Sequence, residues 1–163
     1  MNPNRRSYEA AVLLVPLDAA SRDWTASRPP EDFVGVDVAD ETLTRRAPSD
    51  AVPSTGEGVA RSTPLEDAVH RADVVVVLTR ELARADTDLV VRAGDAARAT
   101  GTLLGAVVVA PGAHWSDPAS EAAAGVVRES ADSVVVLGDD HFVLPFLQVL
   151  RGGPREDALE VLA

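Results

Sequence analysis

Runs of consecutive apolar residues alternate along this chain with segments in which apolar residues recur every three or four positions. A run that is apolar at nearly every position is typical of a strand covered on both faces, as in a parallel sheet. The pattern therefore predicts five strands, which are Ala10–Leu17, Phe33–Val38, Val74–Leu78, Leu103–Ala110 and Ser133–Leu137.

The segment between the third and fourth strands has the spacing of an amphipathic helix. Its small and apolar residues recur at steps of three and four, at Leu82, Ala85, Leu89, Ala93 and Ala96. This spacing predicts a helix over Glu81–Ala99 with one apolar side. A strand, a helix and a second strand of these lengths form a βαβ unit, which is expected to be right-handed.

Capping residues mark the other helix starts. Asp18 can cap a helix that runs to Ala26, and Thr63-Pro64-Leu65-Glu66 has the composition of a capping box with proline at the first helical position. Asp117-Pro118 predicts a further helix.

In the helix predicted after Asp117-Pro118, the residues expected to face inward are Ala122, Val126 and Val127. An apolar helix is predicted over His141–Leu150, with Pro145 in its first turns, and a last helix begins after Gly152-Gly153-Pro154 and covers Arg155–Leu162.

Strands that alternate with helices predict an α/β three-layer sandwich. We expect a Rossmann-like, mainly parallel five-stranded sheet in the order 3-2-1-4-5, with the first strand at its centre and helices on both faces. Residues 1–163 then form one domain. Residues 41–62 are rich in Pro, Gly, Ser and Thr and predict a long exposed connection, with a short helical turn at Glu41–Arg45.

Composition narrows the classes of partner. The chain has 26 acidic and 15 basic residues and a formal charge of −11, and every basic residue is Arg. Such a surface argues against binding a nucleic-acid backbone or an anionic membrane. The absence of Lys fits either a GC-rich genome or a salt-adapted cytoplasm, and we favour the second. There is no Cys and no apolar leader in the first ten residues, so we expect a cytoplasmic protein without disulfides.

Candidate binding residues follow the predicted strands, because ligands of parallel sheets bind beyond the carboxyl ends of the strands. These residues are Asp18, Ser21, Asp37, Thr79, Arg80, Arg84, Asp139 and Asp140. Asp37 occupies the position of a ribose-binding carboxylate, but no glycine-rich loop follows the first strand. Arg80 and Arg84, one helical turn apart at the carboxyl end of the third predicted strand, can hold an anion or pair with Glu81 and Asp88.

Catalytic and metal chemistry have little support in these residues. His70, His114 and His141 lack the spacing of metal ligands, so no metal site is predicted. Asp139-Asp140 can bind Mg²⁺ or a ribose, or can cap the next helix. Ser21 has no GxSxG context, and no catalytic residue is assigned.

Four segments resemble the nucleotide-binding domain of the FtsZ/tubulin family. FVGVDVADETL (33–43) is similar to the family's IAINTDAQAL, and ADVVVVL (72–78) is similar to ADMVFVTAG. GTLLGAVVVAP (101–111) is similar to GALTVGVVTRP, and ADSVVVLGDDHF (131–142) is similar to VDTLIVIPNDRL. The resemblance implies an N-terminal-type domain of this family.

The family's two glycine loops are replaced. PLDAASRDW (16–24) stands where the family has GVGGGGCNAV, and TRELARADTD (79–88) stands where it has GGGTGTG. Those glycines let backbone N–H groups surround the phosphates. The resemblance therefore implies a degenerate, non-catalytic relative that has no cofactor and acts through a protein partner or self-association as a structural or regulatory module. The alternative is a nucleotide-binding Rossmann-like enzyme or sensor, with GTP or another nucleotide as its ligand.

Overall fold

The computed structural model describes residues 9–46, 62–112 and 115–152, and these contain five strands and six α-helices around one sheet. The strands are β1 Val12–Pro16, β2 Val36–Val38, β3 Val74–Thr79, β4 Leu103–Val109 and β5 Ser133–Leu137. The helices are α1 Ala19–Ala26, α2 Glu41–Thr44, α3 Pro64–Arg71, α4 Thr87–Thr100, α5 Pro118–Ser130 and α6 Val143–Arg151. All strand pairs are parallel, which confirms the predicted α/β, Rossmann-like fold class.

The predicted strand order is wrong. The sheet has the order β2-β1-β3-β4-β5, so β3 is central and β1 lies between β2 and β3. β2 has only three residues and two of them are exposed, so it cannot cover a strand as apolar as β3. β3 instead pairs with the fully buried β1, from Val12 opposite Val74 to Pro16 opposite Leu78.

Helices cover the two faces of the sheet unequally. On one face α3, α4 and α5 pack over the larger core, where Val69, Val90 and Val127 contact inward side chains of β1, β3 and β4. On the other face α1 and α6 are the helices, of those described, that cover the sheet, through Trp24 of α1 and Leu147 of α6. This division places the helices that follow β1 and β3 on opposite faces.

Several predicted boundaries shift because local turns take precedence over the apolar pattern. Residues 30–33 form a 3-10 turn, so β2 starts three residues later than Phe33, after Gly35 with a φ of +77°. The helix predicted from Glu81 begins at Thr87, because Asp86 caps it by accepting the N–H of Leu89. Residues 82–84 form a separate 3-10 turn.

The other helices match the sequence more closely. Thr63 and Glu66 form the predicted capping box of α3, and Asp117 caps α5. Within α5 the predicted inward position Ala122 is wrong, since Ala122 is exposed. Val127 is buried as predicted, together with Ala123 and Ala124, and Val126 is half-buried.

α6 connects the end of the described chain to its beginning. It follows a 3-10 turn at Asp140–Phe142, and Pro145 lies in its first turn as predicted. The carbonyl of Arg151 accepts the N–H of Ala10, and its guanidinium donates to the carbonyl of Val34. The helix predicted over Arg155–Leu162, and most of the predicted 41–62 connection, lie outside the described residues. No helix among those described is long and apolar enough to cross a bilayer.

Candidate functional site

Asp18 is the centre of the site at the carboxyl end of β1. It is the N-cap of α1 and only 2% of the residue is exposed. Its Oδ1 accepts the N–H of Ser21 at 2.7 Å, and its Oδ2 accepts the N–H groups of Arg80 at 3.0 Å and Glu81 at 3.3 Å. One carboxylate thus occupies a cradle of backbone amides from two separate segments.

This cradle lies at the topological switch point of the sheet. β1 and β3 are neighbours, and the helices that follow them pack on opposite faces. The chain therefore diverges between the two strand ends and leaves a crevice, which is where open α/β sheets bind their ligands. In this protein the crevice holds Asp18, together with residues from the end of β3.

Ser21 and Thr79 complete the buried part of the crevice. The hydroxyl of Ser21 accepts the N–H of Arg80 at 3.0 Å, so that this N–H is shared between Ser21 and Asp18. Thr79 is buried beside them, and no group of the described residues bonds to its Oγ1 with full hydrogen-bond geometry. The sequence placed both residues at the carboxyl ends of strands, but it gave no sign of these contacts.

The surroundings of Asp18 favour its charged form. Burial on its own raises the pKa of the carboxyl, but the neighbouring Thr79 hydroxyl, the N–H and hydroxyl of Ser21 and the N–H of Glu81 lower it. The net result is a pKa below the usual value for Asp. Because Thr79 Oγ1 lacks hydrogen-bond geometry, we attribute its effect to its dipole.

The side chain of Arg80 is neutralised within the chain. Its Nη2 lies 2.7 Å from Oδ2 of Asp140, in the turn after β5, and its Nη1 donates to the carbonyl of Ala20 at 3.4 Å. Its Nε is buried, and no described residue bonds to it. The guanidinium therefore bridges the first turn of α1 and the end of β5, and its charge is balanced by Asp140.

Three of the predicted site residues lie apart from this cluster. Asp37 is exposed on β2 and borders a cavity of about 190 Å³ that also contacts Arg71, at the end of α3. Arg84 is not one α-helical turn from Arg80, because Arg84 belongs to the 3-10 turn, and it pairs with Glu81 at 3.4 Å. Asp139 caps the turn after β5.

The carboxylate of Asp139 contacts the nearby residue His141. It accepts the N–H of His141 at 2.9 Å and lies 2.6 Å from Nδ1 of the same residue. These contacts, the backbone one first, hold the pKa of Asp139 below its usual value. A carboxylate used in this way is a cap.

Metal-ligand clusters are missing from the parts of the chain that the structure describes: no three His, Asp or Glu residues there come together in a group that could hold an ion. His70 is exposed in the last turn of α3, and His141 contacts Asp139 and the ring of Phe142. His114 is outside the described residues.

No protein-family model matches this chain, and a search of curated proteins gives no match. The candidate site therefore rests on its own geometry.

A larger cavity, of about 960 Å³, lies between α2, α3 and α4 and away from the switch point. Its lining includes three arginines, Arg45, Arg46 and Arg92, of which Arg92 donates to the carbonyl of Thr44 at 2.8 Å. Its rim reaches Arg46 and Ser62, which border residues 47–61.

Proposed function

We propose that this chain is a non-catalytic, FtsZ/tubulin-like α/β domain that acts as a structural or regulatory protein-interaction module, with GTP binding and hydrolysis lost. The observation that carries the proposal is the Asp18 carboxylate at the switch point. It accepts three backbone N–H groups that would otherwise be available to an anionic ligand.

Phosphate binding at such a crevice needs several N–H groups that converge on one anion, usually at the start of a helix. Here the N–H of Ser21 in the first turn of α1 and those of Arg80 and Glu81 converge on a carboxylate that is covalently part of the chain. A phosphate would have to displace that carboxylate and would also meet its negative charge at short range. The internal ligand is therefore a strong competitor.

The cation beside the cradle does not offset this competition. Arg80 donates its backbone N–H to Asp18, and Asp140 already neutralises the guanidinium of Arg80 at 2.7 Å. Arg84 points to Glu81 and is mostly exposed. The charge available to a polyphosphate at this end of the sheet is consequently negative, which agrees with the replacement of both glycine loops in the sequence.

Isothermal titration with GTP–Mg²⁺, GDP, ATP and NAD, alongside a phosphate-release assay, tests the proposal. We expect no micromolar binding and no turnover. Micromolar affinity or measurable hydrolysis would overturn the proposal and favour the alternative, a nucleotide-binding enzyme or sensor.

A matched pair of variants tests whether Asp18 is what closes the cradle. Asp18→Ser keeps a good N-cap for α1 but vacates the position that accepts the N–H groups of Arg80 and Glu81. Asp139→Asn removes one charge from the same edge of the sheet and leaves the cradle filled. We expect weak inorganic phosphate binding in folded Asp18→Ser only. Binding in both variants would show that charge, and not occupancy of the cradle, excludes the anion.

A further inference from the structure

The two edges of the sheet differ in how they are protected against pairing with another strand. β2 is one edge, and it is three residues long and carries an exposed Asp37. β5 is the other edge, with the five-residue sequence SVVVL, which contains no charge and no proline. Natural edge strands are usually guarded by charges, proline, bulges or a covering element.

The carboxylates that flank β5 do not guard its outer edge. Asp132 precedes the strand and accepts the N–H of Leu104 at 2.8 Å, so this carboxylate is directed towards β4. Asp139 follows the strand and contacts His141. Among the described residues, β4 is the sole strand that pairs with β5, and Val136 is 43% exposed.

From this edge, with which no described strand other than β4 pairs, we infer that β5 pairs with β5 of a second copy of this chain, in antiparallel orientation about a two-fold axis, and joins two sheets into one of ten strands. The inference rests on the proposed function and names the partner of that interaction module. A second copy supplies the matching main-chain donors and acceptors along a strand of equal length.

The side chains of β5 are self-complementary in this arrangement. Antiparallel pairing centred on Val135 places Val134 opposite Val136 of the second copy, and Ser133 opposite Leu137. Cross-strand pairs of β-branched residues are favourable. Val134 and Val136 lie on the same face of the strand, since side chains alternate along it. Both valine pairs between the two copies therefore lie on one face of the joined sheet.

Two identical copies should repel each other less along β5 than along most of the remaining surface. Each chain has a net charge of −11, so two copies repel wherever their charged surfaces approach. The five residues of β5 carry no charge, so repulsion within the pairing is confined to the strand ends, where Asp132 of one copy approaches Asp139 of the other. Salt should strengthen the association by screening the remaining repulsion.

Sedimentation equilibrium of the full chain, from about 10 µM to about 1 mM and in about 1 M KCl, tests the inference. We expect a concentration-dependent rise from the monomer mass of 17.1 kDa towards twice that value. Hydrogen exchange should show added protection of β5 amides at high concentration. A wild-type chain that remains a monomer over this range overturns the inference.

Two substitutions place the contact, with a matched control. Val136→Lys puts a charge on the edge strand, and its long stem can keep the ammonium in water. Val91→Lys makes the same change at an equally exposed valine, 42% exposed, on α4. We expect Val136→Lys to be monomeric with circular dichroism like that of the wild type, and Val91→Lys to associate normally. Ser133→Lys, at an exposed position of β5, replaces Val136→Lys if the latter does not fold.

The remaining outcomes are also decisive. If both β5 variants associate like the wild type, β5 pairing is overturned, and loss of association in Val149→Lys would then move the contact to the exposed side of α6. A monomer that binds no nucleotide overturns β5 pairing alone. A dimer that hydrolyses GTP instead overturns the proposed function.

Discussion

At the scale of single residues, Asp18 combines two roles that are usually separate. One oxygen caps α1, as its position before the helix predicted, and the other accepts N–H groups from residues about 60 positions further along the chain. The cap could be predicted because it depends on a neighbour three residues away. The second role could not, because it requires the β1–β3 pairing that brings Arg80 and Glu81 to Asp18.

We expect Asp18→Asn to lower the free energy of unfolding at neutral pH by about 2 kcal/mol. The amide replaces one acceptor oxygen with a donor, so a buried charge-assisted hydrogen bond is lost and an N–H is left unsatisfied. Chemical denaturation of the two proteins at pH 7 measures the difference. An equally stable variant would show that the amides of Arg80 and Glu81 gain little from the charge.

The same pair of proteins has a defined pH dependence. The folded-state pKa of Asp18 is below the usual value of about 3.9, so its contribution to stability is fully present above that value. The contribution is lost as the pH falls through the lowered folded-state pKa. The stability difference between wild type and Asp18→Asn should therefore be constant near neutrality and should shrink in acid.

At the scale of elements, the contact between α4 and α5 depends on one glycine. A Cβ at Gly94 would lie 3.1 Å from the carbonyl oxygen of Ser130 and 3.3 Å from its Cβ. Gly125, within α5, has open space at the same position. The two glycines are both in helices but differ in what they face.

We expect Gly125→Ala to stabilise the protein by about 0.5–1 kcal/mol, since alanine is the better helix former and meets no neighbour. Gly94→Ala should show little or no gain, because crowding against Ser130 offsets the same helix preference. Paired thermal melts measure the difference. Equal stabilisation in both variants would mean that α4 can move away from α5 at no cost.

The elements also show which parts of the fold a sequence specifies locally. The capping box at Thr63 and Glu66 and the caps at Asp18 and Asp117 involve neighbours three residues apart, and their helices begin where predicted. The predicted start of α4 at Glu81 is wrong because Asp86 is a better N-cap than Glu81. The predicted strand order is wrong because every strand except β2 is similarly apolar, so the hydrophobic pattern does not indicate which strands are neighbours.

At the scale of the whole molecule, the chain has a net charge of −11. Several arginines pair with carboxylates three or four residues away, as Arg92 does with Asp88 and Arg98 with Asp95. Exposed pairs of this kind contribute little to stability. Most carboxylates of the described residues are exposed, and self-repulsion among them opposes the compact state.

If the acidic surface is an adaptation to salt, the melting temperature should continue to rise with KCl beyond about 1 M, where the Debye length is only about 3 Å and screening is complete. We expect this continued rise, which calorimetry in increasing KCl measures. A plateau below that concentration would contradict salt adaptation and would favour a GC-rich genome as the origin of the Lys-free composition.

The position of β1 between β2 and β3 also affects how the chain folds during synthesis. Val12 pairs with Val36 on one side, but its other partner, Val74, is made 62 residues later, and the carbonyl that accepts the N–H of Ala10 belongs to Arg151. Contacts at such separations form slowly, since a long loop must close before they are gained. During synthesis β1 therefore cannot pair with β3 until residues 74–79 have left the ribosome. In that interval β1 has an unpaired, uncharged edge that chaperones or neighbouring chains can bind.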